Sequence, residues 1–131
     1  MRQWPRSTQT SEEPSIQRLP ASAVICTGGH RALLAATVAS LAAQTLDPGR
    51  YEILVVLNRE DAAQRRRLEE TLAQTAGTAV ALRVVAEPTL GLSHARNRGI
   101  AAACGTHVAF LDDDAQAEPD WQLDRKSTRL N

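Results

Sequence analysis

Apolar residues along this chain fall into two patterns, short continuous runs and stripes at helical spacing. The continuous runs predict four strands, which cover residues 21–27, 51–57, 79–85 and 106–111. Segments with helical features separate these runs. Strands that alternate with helices imply right-handed crossover connections and a parallel sheet. We therefore predict an α/β fold with a mostly parallel sheet.

Two of the three predicted helices are marked by spacing and by end signals. Leu34, Val38 and Leu41 lie at helical spacing in the first, and a turn at residues 47–49 ends that segment. The second helix is predicted over residues 60–76, with two acids at its start and a glycine C-cap after its end.

The third predicted helix carries a stripe of small residues. We expect it to begin with Ser93 as its N-cap and to run to about Cys104. Its stripe consists of Ala95, Gly99 and Ala103. Side chains of this size allow a helix to lie close to the sheet beneath it.

The last predicted strand runs directly into three carboxylates, Asp112, Asp113 and Asp114. Adjacent like charges repel, so this triplet stabilises nothing by itself. Side chains alternate along an extended segment, so the first and third acids can point the same way. Mg²⁺ or Mn²⁺ is usually held by one or two carboxylates together with phosphate oxygens of a substrate. A solvated turn is the alternative, but acids that follow a buried strand favour a metal–phosphate site.

A glycine loop after the first strand supplies a second polar feature. In parallel sheets, ligands bind beyond the carboxyl ends of the strands, where the strand order reverses. If the fourth strand lies beside the first, Thr27, Gly28 and Gly29 face the three acids across one crevice. Glycines there allow close approach of the backbone to a ligand.

The two ends of the chain differ from its middle in composition. Residues 1–20 are rich in Ser, Thr, Gln and Pro and are expected to form a disordered N-terminal segment. Residues 124–131, DRKSTRLN, resemble a translated DNA-sequencing adapter and include Lys126, the only lysine of the chain. We expect this stretch to be an artefact, and the natural gene to continue beyond about Leu123.

Composition narrows the possible partners. The net charge is 0 at pH 7 and only 3% of residues are aromatic, so no nucleic-acid surface is expected. The sequence has neither a signal peptide nor a run of about 18 apolar residues, which favours a cytoplasmic protein without a transmembrane segment. Cys26 and Cys104 lack metal or redox spacing and are expected to be small buried side chains.

The chain resembles the amino-terminal half of family 2 glycosyltransferases in four segments, VICTGGHRALLAATVASLAAQT, YEILVVLN, EPTLGLSHARNRGIAAACGTHVAFLDDD and AEPDW. The resemblance covers residues 21–121 and implies the GT-A fold, with residues 21–123 as the nucleotide-sugar-binding half of the domain. It implies transfer of a sugar, with inversion, from a nucleoside-diphosphate sugar to an acceptor hydroxyl, assisted by Mn²⁺ or Mg²⁺. The acceptor is not identified by the resemblance, and a saccharide, a lipid-linked molecule and a small molecule all stay open. The full-length protein is expected in the cytoplasm, with action at the inner face of the membrane as an open alternative.

The resemblance also implies roles for individual residues. Asp114 is expected to contact the metal on the diphosphate, Asp112 to lie toward the ribose and the metal, and Asp113 toward the sugar. Thr27 and Gly28 match the nucleoside pocket. In the family, a loop and the start of the following helix lie beside the nucleotide. The matching positions in this chain are Gly91, Leu92, Ser93, Arg96 and Asn97.

The chain departs from the family pattern at several positions. Gly28 and Gly29 stand where a pair such as Tyr-Asn is common, and Leu57 and Asn58 stand where the family places one or two Asp, one of which recognises the base. Asn58 can still hydrogen-bond a base edge. The catalytic base is expected beyond Leu123, so the chain alone is expected to be inactive and, with a sheet edge uncovered, poorly stable.

The sequence alone leaves other functions open. A sugar-nucleotide pyrophosphorylase usually has a basic glycine-rich loop after the first strand, where this chain has only Arg31. TGGHRA is not the GxGxxG of dinucleotide-binding enzymes, and Ser93 and His94 do not form the GxSxG of hydrolases. A non-catalytic nucleotide-sugar binder is a further alternative. Arg96 can form a structural ion pair in place of a ligand contact.

Overall fold

A four-stranded parallel sheet forms the centre of the computed structural model, which describes residues 19–29, 31–59 and 61–121. The strands are β1 (Leu19–Thr27), β2 (Tyr51–Leu57), β3 (Ala81–Ala86) and β4 (Gly105–Asp112). Their order in the sheet is β3-β2-β1-β4. The predicted strands and their parallel arrangement are confirmed, and the structure places β4 beside β1, the arrangement that the predicted crevice required.

Three helices connect the strands, α1 (Arg31–Ala42), α2 (Ala62–Ala76) and α3 (Leu92–Ala102). The Asp61 carboxylate caps α2 by accepting a hydrogen bond from the backbone N–H of Gln64 at 2.9 Å. Gly77 ends the same helix with a φ of 82°. The predicted start at residue 60 lies outside the described residues. No described helix is long and apolar enough to cross a membrane.

The register of the sheet brings the carboxyl ends of the three adjacent strands into line. Thr27 of β1 is the pairing partner of Leu57 of β2, and Cys26 pairs with Asp112 of β4. The loop after β1 and the acids after β4 therefore lie next to each other. β1 begins at Leu19, which pairs with Gly105, so the strand starts inside the segment predicted to be disordered through residue 20. Residues 1–18 and 122–131 lie outside the described residues.

Helices cover both faces of the sheet. On one face, side chains of α1 and α2, such as Leu34 and Leu68, pack against alternate residues of β1 and β2. On the other face, Ala95 of α3 packs against Val24, Leu54, Val56 and Val108. β2 is buried along its whole length, as expected for a strand with helices on both sides.

The helix α3 lies close to the sheet at Gly99. A Cβ atom on Gly99 would lie 2.7 Å from Cγ1 of Val24 and 3.4 Å from Cγ2 of Val56. The small stripe therefore serves close packing, as predicted, at Ala95 and Gly99. Its third member, Ala103, is the residue that follows the helix.

The prediction that Ser93 is the N-cap of this helix is wrong. The N-cap is Gly91, with a φ of 131°, and it makes no side-chain capping hydrogen bond. Ser93 lies inside the first turn, because the helix begins at Leu92. The start is set by the preceding loop, because the N–H of Gly91 donates a hydrogen bond to the side chain of Asn58, the residue after β2.

A buried carboxylate organises the opposite end of the sheet. Glu52 is 2% exposed and accepts hydrogen bonds from the Ser22 hydroxyl at 2.7 Å, the Cys104 backbone N–H at 2.7 Å and the Arg83 guanidinium at 3.0 Å. Cys104 itself is exposed, which corrects the prediction of a buried thiol. The backbone N–H of Cys104 contacts Glu52, and its exposed sulfur accepts a hydrogen bond from Arg83 at 3.7 Å.

Candidate functional site

Two adjoining cavities open at the carboxyl ends of β1 and β4. The first has a volume of about 310 Å³ and is lined by Cys26, Leu92, Arg96, Phe110, Leu111, Asp112, Asp113 and Asp114. The second has a volume of about 300 Å³ and is lined by Cys26, Thr27, Gly28, Asn58, Leu92, Ala95 and Asp113. The cavities share Cys26, Leu92 and Asp113. The predicted crevice between the glycine loop and the acids is therefore present.

The middle acid of the triplet is bound to the end of β1. The Thr27 hydroxyl donates a hydrogen bond to Oδ2 of Asp113 at 2.8 Å and accepts one from the backbone N–H of Gly29 at 3.0 Å. Thr27 is 3% exposed, so this chain of hydrogen bonds is shielded from water on one side. The position of Asp113 is therefore set before any ligand binds.

The two outer acids have no such partner. Asp112 and Asp114 are exposed, and neither carboxylate forms a hydrogen bond or an ion pair with another described residue. The strand ends at Asp112, and the chain then turns, with the Ala115 N–H donating to the Asp112 carbonyl at 3.1 Å. The turn is thus closed by backbone groups and leaves the outer carboxylates available.

These carboxylates suit a hard divalent cation. Mg²⁺ and Mn²⁺ prefer carboxylate and phosphate oxygens, and Mg²⁺ typically takes only one or two carboxylates from a protein. Across the part of the chain that the structure describes, no group of three or more His, Cys, Asp or Glu side chains is arranged to hold a metal. Two exposed carboxylates, those of Asp112 and Asp114, are the number that Mg²⁺ typically takes from a protein when phosphate oxygens supply further ligands.

Polar side chains of α1 hold the segment that follows the acids. The Thr37 hydroxyl, which is fully buried, lies 3.1 Å from the Asp113 carbonyl oxygen and 2.5 Å from that of Ala115. The Ser40 hydroxyl accepts a hydrogen bond from the Ala117 N–H at 2.9 Å. The Gln44 amide, two residues beyond the end of α1, likewise donates to the Glu118 carbonyl at 2.7 Å. We call residues 37, 40 and 44 the polar ladder.

The polar ladder was missed by sequence reasoning. Its signal is a row of Thr, Ser and Gln at spacings of three and four, which starts on a helix whose other inward positions are apolar and continues just past its end. Such a row indicates side chains that form hydrogen bonds with the backbone of a neighbouring segment instead of packing against its side chains.

Arg96 places a positive charge at the first cavity. Its guanidinium carbon lies 5.6 Å from the centre of the Phe110 ring, a cation–π distance. No ion pair joins it to an acid among the described residues, so the structural ion pair that was an alternative for Arg96 is not formed there. The half-buried Cys26 lies near this charge. Burial raises the pKa of the Cys26 thiol to about 11, while Arg96 lowers it and Asp113 raises it further.

Asn58 lies at the end of β2 and contacts the loop of residues 87–91. Its side-chain NH₂ donates to the carbonyls of Glu87 at 2.9 Å and Thr89 at 2.8 Å, and its Oδ1 accepts from the N–H of Gly91 at 2.9 Å. Both amide donors are thus used inside the protein. The expectation that this side chain meets a base edge is not supported by these contacts.

The same loop borders a third cavity of about 520 Å³. It is lined by Gly28, Asn58, Arg59, Pro88 and Leu90. Gly91 and Ser93 are exposed at the start of α3 and line none of these three cavities. His94 is exposed as well. Among the described residues, Ser93 and His94 make no hydrogen bond with each other, so no hydrolase pair is formed.

Comparison with known proteins identifies the family. The family model "Glycosyl transferase family 2" matches residues 22–124. The chain belongs to glycosyl transferase family 2. This family 2 chain is 31% identical over 102 residues to glucosyl-dolichyl phosphate glucuronosyltransferase of Haloferax volcanii, a match that covers 76% of the chain and 31% of that relative.

Solved structures share the fold of this family 2 chain. The mannosyltransferase PcManGT from Pyrobaculum calidifontis, in complex with GDP-Man and Mn²⁺, matches with a TM-score of 0.67 at 22% identity over 81% of the chain and 30% of that structure. TarS 1-349 of S. aureus in complex with UDP matches with a TM-score of 0.64 at 22% identity over 78% of the chain and 29% of that structure. The predicted GT-A-type α/β fold is confirmed. The chain spans less than a third of the length of each of these relatives.

Proposed function

We propose that this chain forms the donor-binding part of a metal-assisted, inverting glycosyltransferase that uses a nucleoside-diphosphate sugar. The observation that carries the proposal is the cavity where Asp112, Asp113 and Asp114 face the end of β1. Family membership supports the reaction class. Neighbours of the same fold that hold GDP-Man with Mn²⁺, or UDP, support a nucleoside diphosphate as the ligand.

In this proposal the three acids contact different parts of the ligand. Asp114 and Asp112 hold Mn²⁺ or Mg²⁺ against the diphosphate, because their carboxylates are exposed and have no described protein partner. When bound, the cation stabilises the negative charge that the departing diphosphate acquires. Asp113, held by Thr27, faces the sugar.

Other residues in the proposal surround the nucleotide. Thr27 and Gly28 line the second cavity and lie along the nucleoside. Arg96 adds a positive charge beside the acids, which attracts a phosphate group. Gly91 and Ser93 lie at the start of α3, on either side of Leu92, which lines both cavities of the proposed donor site. Asn58 belongs to the donor site through the loop that it contacts.

None of the described residues is assigned as the general base that must activate the acceptor hydroxyl. Binding and transfer are therefore tested separately. Binding is the property that the described residues support, and transfer requires in addition a general base that none of them supplies.

The test is Mn²⁺-dependent binding of UDP and GDP to the 131-residue chain, measured by isothermal titration calorimetry. We expect Asp114→Asn to weaken binding by about 10-fold or more, a loss of the size found when metal sites are perturbed. Chelation of Mn²⁺ should have a similar effect on the wild-type chain. Asp120→Asn, an exposed carboxylate that lines none of the three cavities, is the control and should bind as wild type.

Two results would contradict the proposal. One is equal affinity of the wild type and Asp114→Asn, and the other is binding that does not depend on Mn²⁺. In any form of the protein that transfers sugar, loss of that transfer in Asp114→Ala would support the enzyme. Donor binding without hydrolysis or transfer would indicate a non-catalytic binder.

A further inference from the structure

The side chain of Asn58 bonds to three alternate residues of the loop between β3 and α3. Glu87, Thr89 and Gly91 each contribute one backbone group, at distances between 2.8 and 2.9 Å. The two carbonyls require N–H donors and the N–H requires an acceptor. Only one orientation of an amide satisfies all three, so the network itself fixes which way the Asn58 side chain points.

The backbone on either side extends this network. The N–H of Asn58 donates to the Thr27 carbonyl at 2.8 Å, and the N–H of Glu87 donates to the Leu57 carbonyl at 2.9 Å. One residue thereby connects the end of β1, the end of β2 and the 87–91 loop. Pro88, Thr89 and Leu90 of that loop are exposed, and little else covers them.

The loop and the first residue of α3, which directly follows it, carry apolar walls of all three cavities. Leu90, which is 74% exposed, borders the third cavity, and Leu92, which is 55% exposed, borders the other two. Large apolar side chains with this exposure are held in place by their backbone, because they have little packing of their own. The backbone on either side of Leu90, and directly before Leu92, is hydrogen-bonded to Asn58 at Thr89 and Gly91.

We propose that Asn58 is a positioning residue, which holds the 87–91 loop over the carboxyl ends of β1 and β2 and so sets the walls of the donor site. The inference rests on the proposed function, since the walls matter only if a nucleotide binds between them. It differs from base recognition by Asn58, which would need a free amide edge. At most one lone pair of the Asn58 carbonyl oxygen is left over.

The decisive variant is Asn58→Asp. A carboxylate has the same shape but no N–H donors, and it would face the carbonyl oxygens of Glu87 and Thr89. We expect the loop to open and binding of UDP with Mn²⁺ to weaken by about 10-fold or more, the cost of leaving such groups unpaired. GDP should lose affinity by the same factor, because the loop wall is common to both nucleotides. Asn58→Ala should also weaken both.

Hydrogen–deuterium exchange of the ligand-free chain tests the loop directly. In Asn58→Asp, amides of the peptide that spans residues 87–92 should exchange about 10-fold faster than in wild type, while peptides of β1 and β2 stay protected. This measurement needs no nucleotide. If the wild-type chain bound neither UDP nor GDP, the proposed function would fail, while the exchange data would still decide whether Asn58 holds the loop.

Two controls separate positioning from charge and from lost stability. Gln74→Glu makes the same amide-to-carboxylate change at an exposed position of α2 and should leave affinity unchanged. Val80→Ala lowers stability by truncating a buried side chain outside the site, and at a temperature below its Tm it should bind as wild type. Unchanged exchange at 87–92 in Asn58→Asp, tighter UDP binding by that variant, or a loss confined to one base would overturn the inference.

Discussion

The two cysteines differ in burial, and this difference makes their reactivity a test of the first cavity. Cys26 is half-buried and its pKa is raised from 9.0 to about 11, chiefly by burial. Cys104 is exposed. Because the thiolate is the nucleophile, the half-buried thiol should be the less reactive one at neutral pH.

We expect iodoacetamide to modify Cys104 well before Cys26 between pH 7 and 9, with site-specific rates measured by mass spectrometry. The rate at Cys26 should rise about 10-fold per pH unit until the pH approaches its raised pKa. Because the pKa of Cys26 is higher in the folded state, its protonated thiol contributes to the free energy of unfolding. This contribution is complete below pH 9 and is lost as the pH rises toward 11. In a Cys104→Ser variant, alkylation of Cys26 as fast as in urea-unfolded protein would contradict this.

Gly99 is a second residue whose environment leads to a prediction. Alanine is favoured over glycine in a helix by about 1 kcal/mol. Here its Cβ would lie 2.7 Å from Val24, whose strand is buried on both faces, and overpacking typically costs about 1 to 3 kcal/mol. We expect Gly99→Ala to be destabilising overall in urea unfolding.

The control for Gly99 lies on the same helix. Ala101 is exposed, so Ala101→Gly should show only the helix-propensity loss of about 1 kcal/mol. A Gly99→Ala variant that is more stable than wild type would mean that α3 is not in close contact with β1 and β2.

At the scale of elements, the polar ladder couples α1 to the segment that carries the acids. Thr37→Val removes the hydroxyl and keeps the shape of the side chain. It should cost about 1 to 3 kcal/mol in unfolding free energy, because the backbone at Asp113 and Ala115 loses its buried hydroxyl donor. We also expect Mn²⁺-dependent binding of UDP to fall by about 10-fold, as for residues that orient metal ligands.

Thr71→Val is the matched control for this element. The Thr71 hydroxyl bonds only the carbonyl of Arg67 on the exposed face of α2. Its loss should leave both stability and nucleotide affinity close to wild type. Wild-type affinity in Thr37→Val would show that the ladder supports the fold alone.

At the scale of the whole molecule, the two ends of the sheet divide stability from binding. Glu52 lies at the amino ends of the strands and joins β1, β3 and the residue before β4, whereas the acids of the cavity lie at the carboxyl ends. Removing one member of a buried ion pair typically costs about 3 to 5 kcal/mol. Because the Arg83 side chain is 40% exposed, we place Glu52→Ala near the lower end of that range.

Urea unfolding of Glu52→Ala measures this directly, and UDP affinity below its Tm should match wild type. A loss of stability under about 1 kcal/mol would mean that water replaces the carboxylate, which the burial of Glu52 argues against. A large loss of affinity in the folded variant would contradict the separation of the two ends.

Sequence patterns predicted the strands more accurately than the starts of the helices. Runs of apolar residues located all four strands to within a few residues, because burial on both faces leaves little choice of side chain. Local capping signals were less reliable. Asp61 caps its helix and Ser93 does not, because tertiary contacts of Gly91 with Asn58 set the start of α3 one residue before Ser93.

The sequence alone determined the four strands, the parallel α/β sheet and the position of three acids at the end of β4. These features follow from local burial patterns and from the handedness of crossover connections, both of which act along the chain. Tertiary structure decided that β4 lies beside β1 and so places the acids next to Thr27 and Gly28. It also decided which side chains serve the site indirectly. Asn58, Thr37 and Glu52 bond to backbone groups 29 or more residues away, and no local pattern specifies those partners.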